Sequence, residues 1–195
     1  MLELDAFNKY LQRIISLSLE EFAEFTVAFN VKQIKKKQFI IQPDFIARYR
    51  TFVIKGAFRS YVIDKDGVDH TIQFAMEDWW ISDINSYIYQ KPATMFVVAL
   101  EDSTVLQIEY ETEQLLKQAN PKFERFFRIV AERTAAFHQR RIISALTRTA
   151  EERYTDFLET YPTVAQRLPQ FALASYLGMT REFLNKIRNH KVKRK

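Results

Sequence analysis

Apolar residues at Leu4, Phe7, Tyr10, Leu11 and Ile14 recur at intervals of three and four, and Leu19, Phe22, Phe25 and Val27 follow after Ser16-Leu17-Ser18. This period predicts two short amphipathic helices over Leu4–Phe29. The second opens on Ser18-Leu19-Glu20-Glu21, where serine and the glutamate three residues on can cap one another. From Val31 to about Ile108 the period falls to two. Strands are expected over Val31–Ile34, Phe39–Ile41, Arg48–Ile54, Ala57–Ile63, Val68–Met76, Thr94–Leu100 and Thr104–Ile108. Asp64-Lys65-Asp66-Gly67 is a hairpin turn, Gly56 breaks another pair, and Pro43 and Pro92 mark connections. Short strands punctuated in this way predict an antiparallel barrel or jelly-roll.

Asn120-Pro121 then opens the longest helix, since proline suits a first helical turn. Phe123, Phe127, Val130, Thr134 and Phe137 step by four and three along it, close to a coiled-coil seam, while Phe126, Ile129, Ile142, Ile143 and Leu146 make a second apolar side. Two apolar sides need two partners: the β-domain and a second subunit, or, on the simpler reading, its own chain alone. The domain boundary is expected near Leu146–Thr149. Thr149-Ala150-Glu151-Glu152 is another capping box, opening a helix through Tyr154, Phe157 and Leu158 that stops at Tyr161-Pro162. Val164–Leu168 is read as a crossing to Pro169, which starts the next helix.

The stretch Gln170–Arg188 reads as a helix-turn-helix. Leu173, Ala174 and Leu177 share one side of a short helix, Gly178 supplies the left-handed turn, and Thr180 is a good N-cap for a second helix. Leu184 and Ile187 face inward there, leaving Arg181, Glu182, Asn185, Lys186 and Arg188 on other faces. These side chains match base edges in the DNA major groove, where Arg pairs with guanine, Asn with adenine and Glu with cytosine. A helical hairpin with a solvated charged face is the competing reading.

Charge sharpens that choice. Of a net +5, residues 180–195 hold seven basic side chains against Glu182 alone, so the rest of the chain sits at −1. A concentrated basic helix and tail can neutralise phosphates and release counterions, or simply keep a chain end soluble. The 195 residues, 47% of them hydrophobic, suffice for one large domain or two small ones. No window is apolar enough to cross a membrane, and the acidic start Met1-Leu2-Glu3-Leu4-Asp5 is no signal peptide, so the expected compartment is the cytoplasm. Without cysteine there is no disulfide, thiol nucleophile or cysteine-ligated metal. His70, His138 and His190 are too scattered for one metal site, and Gly56, Gly67 and Gly178 stand outside any phosphate-cradling loop. An enzyme is therefore not expected, nor a cofactor. Trp79 and Trp80 could stack on a ligand or belong to the core.

The order of elements, together with Val53-Ile54-Lys55-Gly56-Ala57-Phe58-Arg59, Ala99-Leu100-Glu101-Asp102-Ser103, Asn120-Pro121 and Leu173–Arg188, resembles the Crp/Fnr family of bacterial transcription regulators over nearly the whole chain. The resemblance implies an α+β fold: a cyclic-nucleotide-binding-like β-roll sensor (residues 1–118), a long dimerisation helix (119–147) and an all-α helix-turn-helix domain (148–195). It also implies a homodimer on a palindromic operator in double-stranded DNA. In the cyclic-AMP-responsive member an Arg-Glu pair and a basic residue one turn on read the bases; these roles fall on Arg181, Glu182 and Lys186, with Thr180, Asn185 and Arg188 completing the expected interface. An effector of unknown identity would meet Trp80, Ser82, Asp83, Ala93 and Thr94. Two departures limit the parallel. Nucleotide-binding members hold ribose and phosphate with a Gly-Glu and an Arg-Ser or Arg-Thr pair, whereas this chain has Trp80-Ile81-Ser82-Asp83 and Pro92-Ala93-Thr94. A buried phosphate without its arginine is costly, Asp83 would repel it, and Lys91 lacks the bidentate fork, so weak or absent cyclic AMP binding is expected. Family members also carry a β-hairpin wing after the recognition helix; with only Asn189–Lys195 following, no wing is expected and the basic tail would take its phosphate contacts. The alternative function is a ligand- or protein-binding signalling module that does not bind DNA.

Overall fold

The computed structural model describes residues 2–192, with side chains from Glu3 to Asn189. The chain divides into two compact units, Met1–Ser60 with Phe74–Ala135, and Tyr61–Gln73 with Ala136–Lys195.

The first unit opens with α1 (Leu2–Gln12) and α2 (Leu19–Val27). The capping box forms: Ser18 Oγ accepts the Glu21 N–H at 3.1 Å, and the Glu21 carboxylate accepts the Ser18 N–H at 2.8 Å. The strands are β1 (Asn30–Ile34), β2 (Phe39–Ile41), β3 (Tyr49–Lys55), β4 (Phe58–Ile63), β5 (Asp69–Ala75), β6 (Trp80–Ile81), β7 (Phe96–Ala99) and β8 (Ser103–Glu109). They form two four-stranded sheets, ordered β1-β8-β3-β6 and β2-β7-β4-β5. β8 pairs antiparallel with both β1 and β3, β3 with β6, and β2 with β7.

The pleat decides which core each residue joins, because neighbours along a strand point to opposite faces. Val53, Ile81 and Val105 enter a buried cluster with Ile34, Ile41, Phe58, Val97 and Ala99. Their neighbours Phe52, Trp80 and Leu106 join Phe7, Leu11, Phe25, Phe123, Phe126 and Phe127 in a second cluster, which ties the first sheet to helices.

Three helices and a strand were not expected. The two-residue β6 is too short to show a period. α3 (Ile84–Tyr89) depends on one cap, Asp83. α4 (Tyr110–Ala119) buries the polar Glu113 while leaving Leu115 exposed, so its apolar pattern misleads. The long helix α5 (Pro121–Thr147) starts on Asn120-Pro121 as expected. Its division into two apolar sides needs correction: Phe123, Phe126, Phe127 and Val130 are all buried, because positions three and four apart share one helical face.

In the second unit α6 (Ala150–Thr160) starts on its own capping box, Thr149 with Glu152. α6 stops at Tyr161-Pro162 as expected, but Pro162 also opens a new helix. It sits in the first turn of α7 (Pro162–Arg167), so the expected crossing over Val164–Leu168 is mostly helical. α8 (Gln170–Tyr176) and α9 (Arg181–Val192) complete the unit around buried Tyr154, Phe157, Leu168, Ala172, Leu173, Ala174, Leu177, Leu184 and Ile187.

Candidate nucleic-acid interface and effector position

Local chemistry builds the link between α8 and α9. Gly178 adopts φ +67°, the left-handed conformation that ends a helix, and the Met179 N–H returns to the Ala174 carbonyl at 3.0 Å. The free end of α8 is closed from outside as well, since Arg153 Nε donates to the Leu177 carbonyl at 2.8 Å. Thr180 then caps α9: its hydroxyl accepts the Phe183 N–H at 3.2 Å.

Leu184 and Ile187, buried to 0% and 5% exposure, pin one face of α9. Thr180, Arg181, Glu182, Lys186 and Arg188 are exposed, and Asn185 is half-buried. Among the described residues no acid forms an ion pair with Arg181, Lys186 or Arg188. The face opposite the buried pair therefore offers an acceptor and cations to whatever approaches it. Helical spacing puts Asn189, exposed one turn beyond Lys186, on the same side, and Phe183 is 46% exposed at the flank. Period alone could have found Asn189; Phe183 reads from sequence as core. The basic residues Lys191, Lys193, Arg194 and Lys195, and hence the tail expected in place of a wing, lie outside the described side chains.

At the position expected for an effector the polar groups are already matched to one another. Asp83 is fully buried. Its carboxylate accepts the Ser86 N–H at 3.0 Å, capping α3, and the Thr94 N–H at 2.9 Å. Ser82 donates its hydroxyl to the Tyr49 carbonyl at 2.9 Å, and the Ala93 N–H donates to the Phe45 carbonyl at 2.9 Å. The amides of Ala93 and Thr94, which stand where the resemblance puts the phosphate-binding pair, are both spent within the protein. Trp80 stands apart from the other four. Instead of facing the roll interior it lies in the aromatic cluster, 5.1 Å from Phe52 and 6.1 Å from Phe126 between ring centroids, with its indole N–H donating to the Tyr10 hydroxyl at 3.1 Å. The pleat puts Ile81 and Trp80 on opposite faces of the sheet, so Trp80 does not share the cluster that Ile81 joins.

Among the described residues no group of three or more His, Asp or Glu side chains could hold a metal, and no helix is long and apolar enough to cross a membrane.

Residues 31–119 match the family model of the cyclic nucleotide-binding domain. No curated protein matches the sequence significantly. The fold is similar to that of FixK2 from Bradyrhizobium japonicum, with a TM-score of 0.75 and 17% identity over 85% of each chain. It is also similar to CLP, described as a c-di-GMP responsive global regulator of Xanthomonas campestris, with a TM-score of 0.72 and 13% identity over 90% of this chain and 92% of that one. A mutant of CooA from Carboxydothermus hydrogenoformans gives a TM-score of 0.70 and 18% identity over 94% and 88%.

Proposed function

From a chain that contains a cyclic nucleotide-binding-type roll and carries the Crp/Fnr regulator fold over most of its length, we propose a sequence-specific, homodimeric transcription regulator acting in the cytoplasm without cyclic AMP. The reading rests above all on α9, a capped helix pinned by Leu184 and Ile187 whose Arg181 and Lys186 are exposed and unneutralised among the described residues. Thr180, Arg181, Glu182, Asn185, Lys186 and Arg188 form the interface, residues 1–118 the sensor or its remnant, 119–147 the dimerisation helix and 148–195 the reader.

Dimerisation is supported by the second half of α5, where Ile142, Ile143 and Leu146 are 60%, 51% and 80% exposed. Ile143 lies one heptad beyond Ala136 and two beyond Ile129, so these residues share a stripe suited to a second copy. Two such subunits would present recognition helices about 34 Å apart to successive major-groove faces of a palindrome.

Selecting bound sequences from random DNA, then measuring gel shifts across a salt series, tests the reading. A retained, palindromic site is expected. No retained complex would favour the signalling module instead. Arg181→Ala is expected to cost about 1–3 kcal/mol at its cognate base pair and to relax specificity there, without a comparable loss at other positions. Calorimetric titration with cyclic AMP should show no binding in the micromolar range, because the Ala93 and Thr94 amides are occupied and Pro92-Ala93-Thr94 lacks the arginine of the nucleotide-binding pair. A micromolar dissociation constant would reverse that part of the proposal.

A further inference from the structure

The tip of the β4–β5 hairpin belongs to the same compact unit as α8 and α9. β5 ends its sheet, so backbone groups on its outer side have no neighbouring strand. Two side chains of the helical region satisfy them. Ser175, in the last turn of α8, accepts the Thr71 N–H at 2.8 Å and donates its hydroxyl to the Asp69 carbonyl at 2.9 Å. Arg141, on α5, donates through Nη2 to the Thr71 carbonyl at 2.8 Å and to the Tyr176 carbonyl at 3.1 Å, and through Nη1 to the Ile72 carbonyl. Its guanidinium also lies 4.2 Å from the centre of the Tyr176 ring.

The last turn of α8 is thus gripped at three successive residues: Ser175 by the hairpin, Tyr176 by Arg141 and Leu177 by Arg153. These are the residues just before Gly178, where the chain turns into α9. Resting on the DNA-binding reading above, we infer that Arg141 and Ser175 are positioning residues for the recognition helix, bracing the turn before Gly178 against the hairpin tip. The tip contributes no basic surface of its own, since Asp64, Asp66 and Asp69 outnumber Lys65. It acts through α8 and not by touching phosphates.

The geometry of the grip requires a planar fork: one guanidinium serves carbonyls on two segments, which a single ammonium cannot do in the same arrangement. Full-length wild type, Arg141→Lys and Ser175→Ala are compared on the DNA site selected by wild type, with active protein titrated in each preparation well below its melting temperature. Both variants are expected to bind about tenfold more weakly, the loss of one or two such hydrogen bonds. The dependence of log K on log salt should keep its slope, because phosphate contacts remain. Amide exchange at Leu177–Thr180 should quicken in both. A role confined to general stability would lower the melting temperature and leave affinity per active protein unchanged. Wild-type binding with both variants within about twofold of it would overturn the inference. If wild type selects no DNA, the function proposal fails, and the exchange rates alone decide the brace: faster supports it, unchanged refutes it.

Discussion

Replacing Glu113 with glutamine is expected to destabilise the protein by about 3–5 kcal/mol, the cost of leaving a buried cation without its counter-ion. Glu113 on α4 is fully buried, and Arg50 on β3 is 7% exposed. Arg50 Nε lies 3.2 Å from Glu113 Oε2 but makes no well-aligned hydrogen bond, so the pairing is chiefly Coulombic. Tyr87 donates its hydroxyl to the same oxygen at 3.0 Å, and Lys117 pairs with the other. Burial and the Glu113 charge push the Tyr87 phenol well above its usual pKa, keeping it a neutral donor. Without the carboxylate, Lys117, a quarter exposed, can swing into water, but Arg50 cannot. Its guanidinium would remain against the rings of Tyr87 and Phe127, 5.2 and 5.6 Å away, which offset only part of the lost charge pairing. Urea denaturation reads the loss directly. The double variant Arg50→Met with Glu113→Gln removes both charges and should lie within about 2 kcal/mol of wild type. Equal damage from the single and double variants would show that shape, not charge, governs the site.

Gly56→Ala should be comparably severe, about 3–5 kcal/mol, from backbone strain and overpacking together. Gly56 has φ +112°, outside the range other residues adopt comfortably, and its backbone runs tight against β8. An added Cβ would lie 2.1 Å from Ser103 Oγ, 2.5 Å from Ser103 Cβ and 2.8 Å from Ser103 Cα. The serine hydroxyl could rotate away; its Cα could not. The β3–β8 register already shifts between Val53 and Lys55, and the added methyl would push β8 outward at that irregularity. Gly178 is the informative control. It too has positive φ, +67°, but the nearest atom to its added Cβ is Arg153 Nη2 at 3.6 Å, at the end of a flexible side chain. Gly178→Ala should therefore cost only about 1 kcal/mol, the price of the left-handed conformation alone. Thermal and urea unfolding of the two variants side by side separates steric from conformational cost.

How far the sequence could be read depended on how far apart the interacting residues lay. The helix-turn-helix was legible because its determinants are neighbours: Gly178, the Thr180 cap, and Leu184 with Ile187 one turn apart. The capping boxes at Ser18 and Thr149 were legible for the same reason. Trp80 was not, because its side of the sheet is set by pairing with Phe52 on β3, and a two-residue strand carries no visible alternation. Glu113 was hidden differently: Glu113 and Lys117, four apart on a helix, look like a solvent-exposed pair until Arg50 and Tyr87 are brought against them. At the position expected for an effector, Ser82, Asp83, Ala93 and Thr94 could be located along the chain, but not the hydrogen bonds by which Asp83 and Phe45 consume the amides.

From the chain alone came the hydrophobic periods, the caps and stops of the helices, and the concentration of positive charge after Thr180, all consequences of steric and hydrogen-bonding preferences acting over a few residues. Only the folded arrangement decided which face of β6 is inside, that Glu113 is sealed beside a cation, and that residues 69–72 of a hairpin grip the end of α8. Burial and charge pairing depend on what lies across from a residue, and in this protein the partner is often distant in sequence: Thr71 and Ser175 are 104 residues apart.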